Sequence, residues 1–118
     1  MRLIFLVISL ALMPVVMAAP DGSALYAGHC SACHGDEGGG GVGVPLSLPS
    51  FLESVDDGFL ARTIRHGRPG RVMPAFSKLS DAQINAIVSH IRGWSKKPAP
   101  QFSMQLVQGD AAHGQKLY

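Results

Sequence analysis

The sequence has little of what several functional classes require. Its aromatic residues are few, with one Trp, two Tyr and five Phe, and its basic residues are not interleaved with them, which argues against a nucleic-acid-binding surface. The glycine run from Gly38 to Gly41 is not followed by Lys-Ser or Lys-Thr, so it does not match a phosphate-binding loop. No paired general acid and base is evident near any motif, which disfavours an enzyme.

Long apolar runs are also scarce, and the one from Leu3 to Val16 is shorter than the roughly 20 residues that cross a bilayer. Pro14 interrupts it. Because Arg2 precedes the run and small residues follow it, residues 1–19 are predicted to be a cleaved secretory signal. An uncleaved membrane anchor is the alternative. We expect a mature chain without a transmembrane span, exported to a bacterial periplasm.

Residues 20–97 are predicted to form one small all-α domain. Glycine and proline concentrate in residues 35–50 and 67–76, which are predicted to be loops. Apolar stripes with capping residues indicate three main helices, running from Asp21 to Ala32, from Ser54 to about His66, and from Ser80 to about Trp94. A chain this short has room for only a small core, so a further group is expected to contribute to its stability.

Both cysteines lie in one short motif, Cys-Ser-Ala-Cys-His, in which Cys30 and Cys33 are followed at once by His34. This is the spacing at which c-type haem is attached covalently. Two thiols three residues apart at a helix end can reach the two vinyl groups on one edge of a porphyrin, and the next imidazole is then delivered beneath the iron. The motif predicts one covalent haem c, bound through Cys30 and Cys33 and ligated by His34.

Other sites also use a Cys-x-x-Cys pair. A structural disulfide fits an exported chain, and it remains an alternative. A redox-active pair belongs to a strand followed by a helix, and a zinc site needs further Cys or His ligands at regular spacing. The sequence predicts neither that strand nor those ligands, so haem is the favoured interpretation.

Residues 21–94 resemble the class I cytochromes c. The resemblance rests on the order of several features: a Gly-Ser-Ala-Leu-Tyr segment, the Cys-x-x-Cys-His-Gly motif, a glycine-rich loop reaching Pro45, the segment Met73-Pro-Ala-Phe, and a final amphipathic helix. It implies a small cytochrome c fold with Met73 as sixth iron ligand, which raises the reduction potential relative to two imidazoles. A packing role for Met73 and ligation by His66 are the alternatives.

The resemblance also implies contacts around the haem. The carbonyl of Pro45 would accept a hydrogen bond from the second ring nitrogen of His34 and so fix its tautomer. Arg68 and Arg71 would pair with a haem propionate, because guanidinium matches carboxylate geometry. Ordinary loop roles for the proline and the two arginines are the alternatives.

In the same family the first and last helices cross. By the resemblance, Gly22 and Tyr26 would pack on Ile87 and His90. Tyrosine is common in the family where His90 stands, and His90 is expected to be a packing residue.

With protein side chains at both axial positions the iron has no open site, so outer-sphere electron transfer is the predicted function. The chain is then an electron carrier rather than an enzyme, and its partners are a donor and an acceptor redox protein. A haem subunit of a larger periplasmic dehydrogenase or oxidase is a second hypothesis. A haem peroxidase or sensor, in which Met73 is absent from the iron, is a third.

Residues 98–118 are predicted to be a linker and the start of a second cytochrome c domain. The segment from Gly114 to Tyr118 repeats the Gly-x-x-x-Tyr pattern of Gly22 to Tyr26, and Asp110 before it would cap a helix. The proline-containing residues 95–108 would form the exposed linker. We therefore expect a second haem domain in the full-length protein, with a chance match in a natural tail as the alternative.

Overall fold

The computed structural model describes residues 18–103, 105 and 108–117, so most of the predicted signal segment lies outside the described residues. The described part contains six helices and no strand. They are α1 (Gly22–His29), α2 (Ser31–His34), α3 (Pro49–Leu52), α4 (Asp57–His66), α5 (Asp81–Arg92) and α6 (Ala111–Leu117). The predicted all-α fold is confirmed, with α1, α4 and α5 as its three main helices. No helix in these residues combines the length and apolar character that a membrane crossing needs.

Capping side chains set where the first and last main helices begin. The Asp21 carboxylate accepts hydrogen bonds from two backbone N–H groups of the first turn and begins α1. The helix start predicted at Ser80 is confirmed, and it is a capping box, because Ser80 and Gln83 each accept a hydrogen bond from the other's backbone N–H. Both helices therefore begin where the sequence pattern places them.

Two predictions about the middle of the chain are wrong. Ser54 does not cap α4: its hydroxyl donates to the Phe51 carbonyl, and the carboxylate of Asp56 accepts from the Phe59 N–H instead. The loop predicted over residues 35–50 ends in the short helix α3, whose final leucine is buried. Because Asp56 begins α4, the helix starts slightly later than predicted, and it ends at His66 as expected.

The core is small and lies where α1 and α4 pack on α5. Its buried hydrophobic residues are Tyr26, Leu46, Leu52, Leu60, Ile64, Ile84, Ile87, Val88 and Ile91. Half-buried side chains from the loops, among them Cys30 and Met73, pack against this cluster. The core is therefore in contact with both regions in which the sequence predicts the haem-binding residues.

The crossing of α1 and α5 depends on Gly22 and Tyr26. A methyl group at Gly22 would lie 2.1 Å from the carbonyl oxygen of Ala86, so the close approach of the two helices requires glycine there. The ring of Tyr26 lies 5.2 Å from that of His90 and 5.1 Å from that of Trp94, between centroids. The predicted packing role of His90 is confirmed, and Gly22 approaches α5 at the backbone of Ala86 and the side chain of His90.

Candidate functional site

The two cysteines lie at the junction of α1 and α2. Cys30 ends α1 and precedes α2, so the predicted first helix is interrupted there. Its carbonyl accepts hydrogen bonds from the N–H groups of Cys33 (3.1 Å) and His34 (3.0 Å), which places all three residues on one helical turn. Cys30 is half-buried and Cys33 is exposed, and neither is in a disulfide.

The surroundings of Cys30 do not match those of a reactive cysteine pair or of a zinc site. Burial raises the pKa of the Cys30 thiol to about 11, with a smaller contribution from the charge of Cys33. A redox-active cysteine has a lowered pKa, so this thiol differs from that class. The described residues contain no cluster of three or more His, Cys, Asp or Glu side chains able to hold a metal ion.

His34 is buried and held in one tautomer. Its Nδ1 lies 2.8 Å from the Val44 carbonyl oxygen, and a carbonyl can only accept, so Nδ1 carries the proton. The lone pair of Nε2 is then left for a metal, which is the arrangement of most ligating histidines. The predicted acceptor, the Pro45 carbonyl, is wrong by one residue: the carbonyl that accepts from Nδ1 is that of Val44. A haem contact by Pro45 itself stays a prediction.

The glycine-rich loop wraps the Cys-His turn. The N–H of Gly43 donates to the Cys33 carbonyl at 2.7 Å, and the N–H of Gly40 donates to the His34 carbonyl at 2.7 Å. A Cβ at Gly43 would lie 2.6 Å from Nδ1 and Cε1 of the His34 ring, so the loop lies flat against the imidazole. The loop thus fixes both the turn that carries the site and the ring of its histidine.

Tyr26 connects this turn to the helix crossing. Its hydroxyl donates to the Gly35 carbonyl at 2.8 Å, directly after the motif. Burial raises the pKa of Tyr26 to about 12, helped by the charges of Cys30 and Asp36, so the phenol keeps its proton and remains a donor. The position of the motif is therefore tied to the packing of α1 on α5.

The loop against His34 gives a first testable prediction. We expect Gly43→Ala to lower the free energy of unfolding of the haem-bearing protein by about 1–3 kcal/mol, because the new methyl group must displace the ring or break its bond to Val44. Thermal and denaturant unfolding measure this. Gly39→Ala is the control, since no atom lies within 4 Å of a Cβ there. Equal stability of the two variants would contradict the packing of the loop on the imidazole.

Met73 lies in the loop after α4, half-buried and packed against the core. Its carbonyl accepts from the Arg68 N–H at 3.1 Å, and the Phe76 N–H donates to the Ile64 carbonyl at 3.0 Å. The loop therefore runs back along the C-terminal end of α4. His66, the alternative ligand, is the last residue of that helix and is exposed.

Arg68 and Arg71 are exposed on the loop between α4 and Met73. The salt bridges of the described residues join other pairs, namely Arg65 with Asp81, Arg92 with Asp57 and Lys97 with Glu53. Among the described residues, the side chain of neither loop arginine hydrogen-bonds to the Cys-His turn. Their pairing with haem carboxylates stays a prediction.

The residues present fit a c-type haem. Two thiols outside any disulfide occupy one helical turn with a buried imidazole, and the Nε2 of that imidazole has its lone pair available. The thioether of Met73 belongs to a loop that packs on the same core as Cys30. Thiols, imidazole and thioether together are the donors of a covalently attached, His/Met-ligated haem.

Comparison with known proteins points to c-type cytochromes as well. Over 93 residues, 77% of this chain and 19% of the relative, the sequence is 42% identical to dihydro-heme d1 dehydrogenase of Pseudomonas aeruginosa. It is 38% identical over 82 residues to the cbb3-type cytochrome c oxidase subunit CcoP of Azospirillum brasilense, covering 63% of this chain and 28% of the subunit. The chain thus spans less than a third of either relative.

A solved structure described as KustC0563 c-type cytochrome superposes with a TM-score of 0.58 at 28% identity, covering 64% of this chain and 99% of that one. The profile of the family described as cytochrome C oxidase, cbb3-type, subunit III matches residues 17–91, more than half of the chain. The chain therefore belongs to this family of c-type cytochrome domains.

Proposed function

We propose that this domain carries single electrons on one haem, attached covalently to Cys30 and Cys33 and ligated by His34 and Met73. The observation that carries the proposal is the hydrogen bond of His34. Its Nδ1–H donates to the Val44 carbonyl, which orients a buried imidazole and leaves Nε2 as the coordinating atom. The family match supports the presence of haem c, and the donor set of the chain supports its mode of attachment.

Each residue of the site has a distinct role in this proposal. When bound, the haem iron supplies the one-electron change between its ferric and ferrous states. The two cysteines hold the group by thioether bonds, and the Val44 carbonyl raises the basicity of the His34 ring. The thioether of Met73 favours the ferrous state. With His34 and Met73 both bound to the iron, no site would be left for substrate, so the domain would exchange electrons and would not catalyse a reaction itself.

We propose donor and acceptor redox proteins as partners and the bacterial periplasm as location. A second candidate, a haem-bearing part of a larger oxidoreductase, is favoured by the relatives. One is named a dehydrogenase and another an oxidase subunit, and the chain matches only 19% and 28% of their lengths. Both candidates assign the same electron-transfer role to residues 20–97.

A second haem domain after residues 95–108 is part of this proposal. Helix α6 begins at Ala111, and the carboxylate of Asp110 accepts from the N–H of His113 at 3.0 Å, as the predicted cap requires. Tyr118 lies outside the described residues. Reading the coding sequence for Cys-x-x-Cys-His within a few codons after Tyr118 tests the proposal.

Haem staining of a denaturing gel tests the proposed function directly, because only covalently attached haem stays with the unfolded chain. We expect a stained band, and a weak sulfur-to-ferric-iron charge-transfer band at the red end of the visible spectrum. A stained protein with a high-spin ferric spectrum would favour a peroxidase or sensor instead. An unstained band would contradict the covalent attachment of haem to Cys30 and Cys33.

A further inference from the structure

The segment that follows Met73 is fastened along α4. Two backbone hydrogen bonds hold it there, from the Arg68 N–H to the Met73 carbonyl and from the Phe76 N–H to the Ile64 carbonyl. They fix the two ends of the Met-Pro-Ala-Phe segment. Beyond Phe76 the chain has still to reach α5, which begins at Asp81.

Arg65 bridges that remaining distance with its side chain. Its Nη1 donates to the carbonyls of Ser77, at 3.2 Å, and of Leu79, and its Nη2 contacts the carboxylate of Asp81. In the described part of the chain, no other side chain of α4 hydrogen-bonds to residues 73–81. One guanidinium therefore joins α4, the loop after Met73 and the start of α5.

The contacts of Arg65 with the loop carbonyls outweigh its ion pair. The side chain of Asp81 is 93% exposed, and an ion pair with so exposed a partner contributes little in water. The Arg65 side chain is only 24% exposed. Its bond to Leu79 is partly buried, and hydrogen bonds from a charged donor are stronger than neutral ones. Arg65 thus acts mainly on the backbone of the loop that carries Met73.

We propose that Arg65 is a positioning residue that holds Met73 in place as the sixth ligand. The inference rests on the proposed function, in which Met73 ligates the iron. Loops with few buried contacts open locally before the whole domain unfolds. Loss of Arg65 removes the side-chain hydrogen bonds to the loop after Met73 but leaves the two backbone hydrogen bonds. It therefore increases the fraction of molecules in which the loop is open. The residue acts through the loop and touches no reacting atom.

Imidazole binding to the ferric protein measures that fraction. Imidazole can take the sixth position only when Met73 has left it, so its apparent dissociation constant falls as the open fraction rises. We expect Arg65→Ala to lower this constant about tenfold, equivalent to about 1.4 kcal/mol, and to weaken the sulfur-to-iron charge-transfer band. Arg65→Lys, which offers a compact ammonium instead of a planar fork, should lower it about threefold.

Two matched variants separate this role from general effects of charge and stability. Arg62→Ala removes an exposed arginine of the same helix that makes no side-chain hydrogen bond to the loop. Asp81→Asn removes only the exposed ion pair of Arg65. We expect both to keep the imidazole constant within about twofold of the parent protein. Thermal unfolding of all variants is recorded in parallel.

The possible outcomes are distinguishable. A parent protein without the charge-transfer band would overturn Met73 ligation and this inference with it. A parent protein with the band, and an Arg65→Ala variant that binds imidazole like Arg62→Ala, would overturn the role of Arg65 alone, even if its unfolding temperature fell. If Arg65→Ala does not fold, an Arg65→Lys variant with the parent's imidazole constant overturns the role, and a threefold lower constant supports it.

Discussion

The double variant Cys30→Ala, Cys33→Ala is expected to be largely unfolded in water at 25 °C. Without either thiol the chain cannot form a thioether bond, so the haem is not covalently retained. We expect far-ultraviolet circular dichroism to show little of the helix content of the parent protein. Heating should produce no cooperative transition.

The physical reason is the small size of the core. Nine hydrophobic residues are buried in the described part of the chain, and they come from the three main helices, the short helix α3 and the glycine-rich loop. Ordering the backbone costs about 1–2 kcal/mol per residue, and a domain of this size recovers little more than that from its own core. A ligand that binds only the folded state adds the missing free energy, so losing its attachment shifts the equilibrium to the unfolded chain.

The control is Ser31→Ala, in the same motif. Its exposed hydroxyl donates to the Ala27 carbonyl at 2.9 Å, and its removal should change the free energy of unfolding by no more than about 0.5 kcal/mol. A native-like helical spectrum and a cooperative transition in the double cysteine variant would show that the polypeptide folds without its haem.

The parts of the fold that the sequence predicted are those with a local side-chain cause. Asp21 and the Ser80–Gln83 pair cap helices through contacts within three residues, so their patterns are sufficient. The cap of α4 was less determined, because Ser54 and Asp56 are both good capping residues only two positions apart. Asp56 is the cap because the Ser54 hydroxyl already donates to the Phe51 carbonyl of α3.

The site shows the same division. Cys30, Cys33 and His34 are recognisable because side-chain chemistry and spacing define the motif. The partner of His34 is a backbone carbonyl, and every residue has one, so no side-chain signal distinguishes Val44 from Pro45. The role of Arg65 also lies in backbone acceptors far along the chain, which only the folded loop brings to it.

Met73→His is expected to lower the reduction potential by on the order of 0.1 V or more, within the range of about 0.8 V over which axial ligands set it. Imidazole replaces the thioether that favours ferrous iron, and the haem should stay low-spin. For one electron, 0.1 V corresponds to about 2.3 kcal/mol of preference between the two oxidation states. Spectroelectrochemical titration measures the shift, and loss of the charge-transfer band marks the exchange of ligand.

The controls decide between Met73 and its competitors along the chain. Met104→Ala, at a methionine outside the described residues, and His66→Ala should each leave the potential and the spectrum unchanged. His66 adjoins Gly67, and a Cβ at Gly67 would lie 2.8 Å from the Met73 carbonyl oxygen, so the two candidate ligands share one short loop. The double variant Met73→Ala, His66→Ala is therefore informative, because it removes both candidate ligands of this loop. We expect the haem of this double variant to be high-spin. An unchanged potential in Met73→His, together with a large shift in His66→Ala, would instead assign the sixth position to His66.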